Sequence, residues 1–137
     1  MAGPRWRSPP SYPRRGPCIL TSGRHILLVE DESAIADLIR TALEASDLRV
    51  TACAGVQAAL DAMERGAIDL AILDLSLPDG PPDRLVARLK TASIPVIAIS
   101  GDPARLAAFA PGPTLEKPFR VRALLDLVRS ALAGAAG

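Results

Sequence analysis

The feature that most constrains this chain is an alternation of two patterns. Short apolar runs are each followed by a segment with apolar residues at helical spacing. The runs are His25-Ile-Leu-Leu-Val29, Arg49-Val-Thr-Ala-Cys53, Asp69-Leu-Ala-Ile-Leu73, Ile94-Pro-Val-Ile-Ala-Ile99 and a brief Thr114-Leu115. Unbroken apolar runs suit strands covered on both faces. After the first run, Ile35, Leu38, Ile39, Ala42 and Leu43 form one helical stripe, and Ser33 is placed to cap it. Val56, Ala59, Leu60 and Met63 form the next, closed by Gly66. Leu85, Val86 and Leu89 mark a third helix, and Pro103 to Phe109 leaves room for only a short fourth. Val121, Leu124, Leu125, Val128 and Leu132 mark the last, ending near Ala133. Five strand–helix units predict an α/β fold with a parallel sheet between two helical layers. Right-handed crossovers place every strand's carboxyl end on one edge, where such sheets bind ligands.

Composition narrows the function. At 49% hydrophobic residues, the 137-residue chain can bury a core, and no apolar run is long enough to cross a membrane. Aromatics make up only 3%, which disfavours a base-stacking platform, and a net charge of +1 gives no general attraction to nucleic acid. Arg5, Arg7, Arg14, Arg15 and Arg24 all precede the first acid, Glu30, in a stretch that also holds Pro4, Pro9, Pro10, Pro13 and Pro17. This predicts a disordered Pro/Arg-rich arm over residues 1–23 and a folded domain over 24–137. Cys18 and Cys53 are no disulfide framework and lack zinc-ligand spacing. His25, the only histidine, sits at a strand start and reads as structural.

The polar residues at the strand ends are Glu30 and Asp31, then Asp74, then Ser100, then Lys117. Three carboxylates at one edge repel each other, and a divalent cation relieves that. Hard oxygen donors with room for water suit Mg²⁺. Any of these residues alone would pass for a helix cap or a solvated turn. Their occurrence in order, each at a strand end, is what points to a site. The first turn, Glu30-Asp31-Glu32, has none of the glycines that cradle a nucleotide phosphate. A haloacid-dehalogenase-type phosphatase needs a second Asp two residues after its nucleophile, and that position is Ser76.

Four stretches resemble the receiver domain of two-component response regulators: Ile26-Leu-Leu-Val-Glu-Asp-Glu-Ser33, Asp69-Leu-Ala-Ile-Leu-Asp-Leu-Ser-Leu-Pro-Asp-Gly80, Ile94-Pro-Val-Ile-Ala-Ile-Ser-Gly101 and Leu115-Glu-Lys-Pro-Phe119. The resemblance implies a flavodoxin-like (βα)5 fold with strand order 2-1-3-4-5. It implies that Asp74 accepts a phosphoryl group from a sensor histidine kinase or phosphotransfer protein. Glu30, Asp31, Asp74 and the backbone carbonyl of Ser76 would hold Mg²⁺. Lys117 would pair with a phosphoryl oxygen, Ser100 would turn its hydroxyl toward it, Phe119 would pack beside the site and Lys117-Pro118 would be cis. Such a domain is a cytoplasmic signalling module that catalyses only its own phosphorylation and dephosphorylation. It acts on a downstream protein, without touching nucleic acid or entering the membrane.

Three departures qualify this expectation. The span from Ser100 to Lys117 is a few residues short of the family's usual length. Thr114 stands where many members carry a switch aromatic, and Pro81-Pro82 replaces the usual loop after the phosphoacceptor. Movement on phosphorylation is therefore expected in the segment from Ser100 to Thr114 itself. With no effector module after the last helix, the chain reads as a stand-alone receiver. A detached receiver or phosphate sink of a hybrid kinase is the alternative.

Overall fold

In a computed structural model, residues 23–109 and 112–136 are described. The expected arm, apart from its last residue, and residues 110 and 111 of the segment expected to move lie outside them. The strands are β1 (His25–Val29), β2 (Arg49–Cys53), β3 (Leu70–Asp74), β4 (Val96–Ser100) and β5 (Thr114–Glu116). The helices are α1 (Ser33–Glu44), α2 (Val56–Arg65), α3 (Asp83–Thr91), α4 (Pro103–Phe109) and α5 (Val121–Ala136). The strands form one parallel sheet in the order β2-β1-β3-β4-β5.

Side chains alternate across a strand, so an unbroken apolar run feeds two cores. Ile26, Leu28, Leu70, Ile72, Ile97 and Ile99 face α1 and α5, meeting Ile39, Leu43, Leu124, Val128 and Leu132. Leu27, Val29, Ala71, Leu73, Val96 and Ala98 face α2, α3 and α4, meeting Val56, Leu60, Leu85, Leu89 and Leu106. Each fully buried Leu or Ile contributes roughly 2–3 kcal/mol. The sheet is therefore a stiff platform, and its carboxyl edge inherits that stiffness.

Several boundaries differ from the sequence reading, each for a local reason. β3 starts at Leu70, because the Asp69 side chain accepts the His25 amide at 2.7 Å. β4 starts at Val96, because Pro95 has no N–H and the Ile94 N–H closes α3 on the Leu89 carbonyl. Ser33 does not cap α1. Glu32 takes that position in extended conformation, its carbonyl accepting the Ala36 N–H at 2.9 Å. Gly66 follows α2 in extended backbone rather than as a left-handed cap. α5 continues to Ala136. His25 is structural, its Nδ1 2.9 Å from the Ala67 carbonyl and its Nε2 2.7 Å from Thr51 Oγ1, at the edge opposite the strands' carboxyl ends.

The N-terminus of α2 is capped from a distance. Val56 N–H donates to Asp79 Oδ1 at 3.0 Å and Gln57 N–H to Asp79 Oδ2 at 3.3 Å. A cap usually comes from the helix's own chain; here it comes from the loop after β3. The Val56 amide, joined by that of Gln57, holds the Asp79 carboxyl below its ordinary 3.8 despite the opposing effect of desolvation. A depressed folded pKa means that the cap contributes its stability above pH 3.8. That contribution is lost as the pH falls through the lower folded value. Amide NMR of Val56 and Gln57 should report a titration with its midpoint below 3.8. A midpoint at or above 3.8 would show that the carboxylate does not hold the helix.

Candidate functional site

The carboxyl edge gathers the residues expected there. Glu30 follows β1, Asp74 ends β3 and Ser100 ends β4. Their exposures are 3%, 2% and 0%, low for polar groups and far below what a solvated turn would show. Asp31, next along the first turn, is exposed. Carboxylate oxygens of Glu30, Asp31 and Asp74 lie within 4.8 Å of one another. Lys117, just past β5, sends Nζ between them, 2.9 Å from Glu30 Oε1 and 3.0 Å from Asp74 Oδ2. The peptide bond from Lys117 to Pro118 is cis. Phe119 packs against the α1/α5 core beside the site.

The backbone orients Asp74. Ser76 N–H donates to Asp74 Oδ1 at 2.8 Å, while Lys117 Nζ takes Oδ2. Ser76 Oγ lies 3.4 Å from Ser100 Oγ, which also accepts the Asp102 N–H at 3.0 Å. A hydroxyl has two acceptor positions and one proton, so Ser100 can still donate toward Asp74's side of the edge.

Charge dominates the balance. Two carboxylates about 5 Å apart repel by roughly 3 kcal/mol at an effective dielectric of about 20. One lysine cannot offset three of them. Burial pushes the Glu30 carboxyl above its ordinary 4.5; the charge of Asp74 adds to the rise, and Lys117 with the Glu32 amide opposes it. Burial alone would lower the Lys117 ammonium, yet its contacts with Glu30 and Asp74 outweigh this and raise it above its ordinary 10.5.

The donor set fits a hard divalent cation. Glu30 Oε1 is sealed from solvent and has no hydrogen bond of good geometry; its 2.9 Å approach to Lys117 is a poorly angled charge contact. An ion-paired oxygen with an unfilled lone pair, next to two more carboxylates, is what Mg²⁺ coordination would complete.

Three neighbours were not read from the sequence. Glu32 Oε1 lies 3.5 Å from Lys117 Nζ, adding a fourth acid. Arg105 donates from Nη1 to the Leu75 carbonyl at 3.0 Å, tying α4 to the start of the loop after β3. Asp79 ties the end of that loop to α2. Asp79 and Arg105 each act across more than 20 residues of sequence, and no local pattern signals such a pairing.

Residues 26–129 match the family described as the response regulator receiver domain. The KDP operon transcriptional regulatory protein KdpE of Escherichia coli K12 is 37% identical over 114 residues, covering 79% of this chain and 51% of that protein. The chain thus spans about half the length of that curated relative. Among solved structures, a CheY-like response regulator receiver domain protein from Methanospirillum hungatei JF-1 superposes with a TM-score of 0.75 at 25% identity, covering 84% of this chain and 98% of that one. The receiver domain of the hybrid histidine kinase CckA superposes with a TM-score of 0.66 at 33% identity, covering 79% and 98%.

Proposed function

The chain belongs to the response regulator receiver domain family of two-component systems, and from that premise we propose that Asp74 is its phosphoacceptor, working with Mg²⁺. The observation that carries this reading is the setting of Asp74. It is a carboxylate at 2% exposure, held by the Ser76 amide and Lys117, with Glu30 and Asp31 oxygens within 4.8 Å. An Asp74 oxygen attacks the phosphorus of a phosphohistidine on a partner kinase or phosphotransfer protein. The phosphorus–nitrogen bond breaks, and the electron pair stays on an imidazole that takes up a proton.

Glu30, Asp31, Asp74 and the Ser76 carbonyl would hold the metal. When bound, it offsets charge between the carboxylate and the incoming phosphoryl group. Lys117 then balances a phosphoryl oxygen, and Ser100 donates its hydroxyl. Phosphorylation adds about −1.5 to −2 charge units. A hydrogen bond to such a group is worth about 1.5–3 kcal/mol, enough to draw the Ser100–Asp102 turn inward. α4 is only seven residues long and Thr114 is half-buried at the start of β5, so the repacking falls on the stretch from Ser100 through α4.

The experiment is labelling with acetyl phosphate at graded Mg²⁺, read by intact mass. One phosphoryl group per chain is expected, and none when the metal is chelated. Asp31→Asn should raise the half-saturating Mg²⁺ at least about tenfold. Glu30→Gln should raise it less, because Lys117 already offsets the Glu30 charge at 2.9 Å. Metal-independent labelling would overturn the reading. The likeness to the CckA receiver supports one second reading, a receiver module or phosphate sink serving a hybrid kinase. Phosphoryl transfer back to a kinase without any change in the 100–114 segment would favour it.

A further inference from the structure

The loop between β3 and α3 carries Ser76, whose amide orients Asp74. That loop is pinned on both sides of Ser76. Leu75 and Leu77, both 7% exposed, anchor it in the α2/α3 core. Arg105 holds the Leu75 carbonyl. Beyond Ser76 the far pin is Asp79, three residues on, whose carboxylate takes the Val56 and Gln57 amides at 3.0 and 3.3 Å. Ser76 itself is exposed and stands between the pinned positions. With the far pin removed, buried Leu77 is left to hold its carboxyl-terminal side before the chain turns at Gly80.

Two glycines make this contact possible. At Gly80 the backbone has φ +115°, a conformation that side-chain-bearing residues rarely adopt, so the chain can leave for α3 directly after Asp79. At Gly55 the backbone is extended and any residue could adopt it, yet an added Cβ would lie 2.8 Å from Asp79 Oδ2 and 2.9 Å from Oδ1. Gly55 is thus the space into which the carboxylate fits. Asp79 does more than cap α2: the same bonds hold the loop by its end.

We infer that Asp79 is a positioning residue for the phosphoacceptor site. By bonding the N-terminus of α2 it fixes the β3–α3 loop, and through it the Ser76 backbone relative to Asp74. This rests on the reading of Asp74 and Mg²⁺ given above. A pin lost outside the ligand shell weakens the metal rather than removing it, as with outer-shell partners generally. It also makes α2 a reporter of the site, since any shift of the loop on phosphorylation pulls on the α2 cap.

Three variants separate position from charge. Asp79→Ala removes cap and charge. Asp79→Asn removes the charge and keeps an oxygen acceptor. Gly55→Ala keeps the charge and displaces the carboxylate from the cap. The full chain is labelled with acetyl phosphate at graded Mg²⁺, with helicity and thermal midpoint followed by circular dichroism. Asp79→Ala and Gly55→Ala should raise the half-saturating Mg²⁺ about tenfold, with one phosphoryl group per chain still reached at saturation. Asp79→Asn should stay within about twofold of the parent. If Asp79→Asn is as impaired as Asp79→Ala while Gly55→Ala behaves as the parent, the effect is long-range charge and the positioning role is wrong. Unchanged Mg²⁺ dependence in all three overturns it as well. A second readout does not depend on phosphorylation. The Ser76 amide NMR signal should move in Asp79→Ala and Gly55→Ala together with those of Val56 and Gln57, and a stationary Ser76 signal refutes the inference. Should the parent take no label at all, the phosphoacceptor reading falls by itself and the Ser76 signal still decides the role of Asp79.

Discussion

Asp74→Asn should take up no phosphoryl group from acetyl phosphate at saturating Mg²⁺, while the parent chain takes up one. The substitution preserves shape, and the side-chain carbonyl can still accept the Ser76 amide that now bonds Oδ1 at 2.8 Å. What disappears is the second oxygen. Its place goes to an amide nitrogen whose lone pair is delocalised and whose hydrogens face the Lys117 ammonium, now 3.0 Å from Oδ2. An amide is no nucleophile toward phosphorus at neutral pH, so the loss is complete rather than graded. Failure to fold would be a trivial cause, and the electrostatics argue against it. Replacing Asp74 removes one of three carboxylates within 4.8 Å of one another, relieving repulsion of roughly 3 kcal/mol per pair. The lost ion pair with Lys117 offsets that relief, leaving thermal stability near that of the parent. Full labelling of a folded Asp74→Asn protein would refute the assignment, and peptide mapping would then locate the true acceptor.

Lys117→Met should destabilise the metal-free protein by about 2–3 kcal/mol, and Mg²⁺ should recover much of that loss. The side chains of Glu30 and Asp74 are 0% and 3% exposed, and Lys117, at 17%, is the cation in contact with both. Stripping the partner from a buried charge typically costs about 3–5 kcal/mol. The figure here is lower because Lys117 is partly solvated and Glu30 can take up a proton. Burial already holds the Glu30 carboxyl above 4.5, and without Lys117 it rises further. A raised carboxyl binds protons more tightly in the folded state, so this contribution is fully present below the ordinary 4.5 and is lost as the pH rises through the folded value. In chelator, the deficit of Lys117→Met should therefore shrink as the pH falls toward 4.5. Mg²⁺ supplies positive charge to the same carboxylates, so its effect on the thermal midpoint should be larger in Lys117→Met than in the parent. Equal stability of the two proteins in chelator would show that the lysine does not hold the site together.

Much of this was legible in the chain. Unbroken apolar runs imply a sheet covered on both faces, and helical stripes between them imply parallel crossovers. Those two patterns suffice to bring Glu30, Asp74, Ser100 and Lys117 to one edge. The short α4 followed from the prolines around it. The spacing of the motifs carried the family resemblance and, through it, the strand order and the cis bond before Pro118. Helix ends were less legible. α1 and α3 stop without the usual glycine: the chain leaves them through Asp47 at φ 65° and Ser93 at φ 59°, side-chain-bearing residues in the left-handed region.

What the sequence by itself determined was which residues sit on which edge and face, because strand and helix periodicities act locally. Only the tertiary structure decided how those residues pair. Glu32 joins Lys117 across 85 positions, Arg105 reaches the Leu75 carbonyl across 30, and Asp79 reaches the α2 amides across 23 and 22. Each contact depends on where the loops at the carboxyl edge come to rest, and that is set by packing and charge between elements distant in the chain. The Asp79 cap further requires the missing side chain of Gly55, a vacancy that has meaning only once two loops lie against each other.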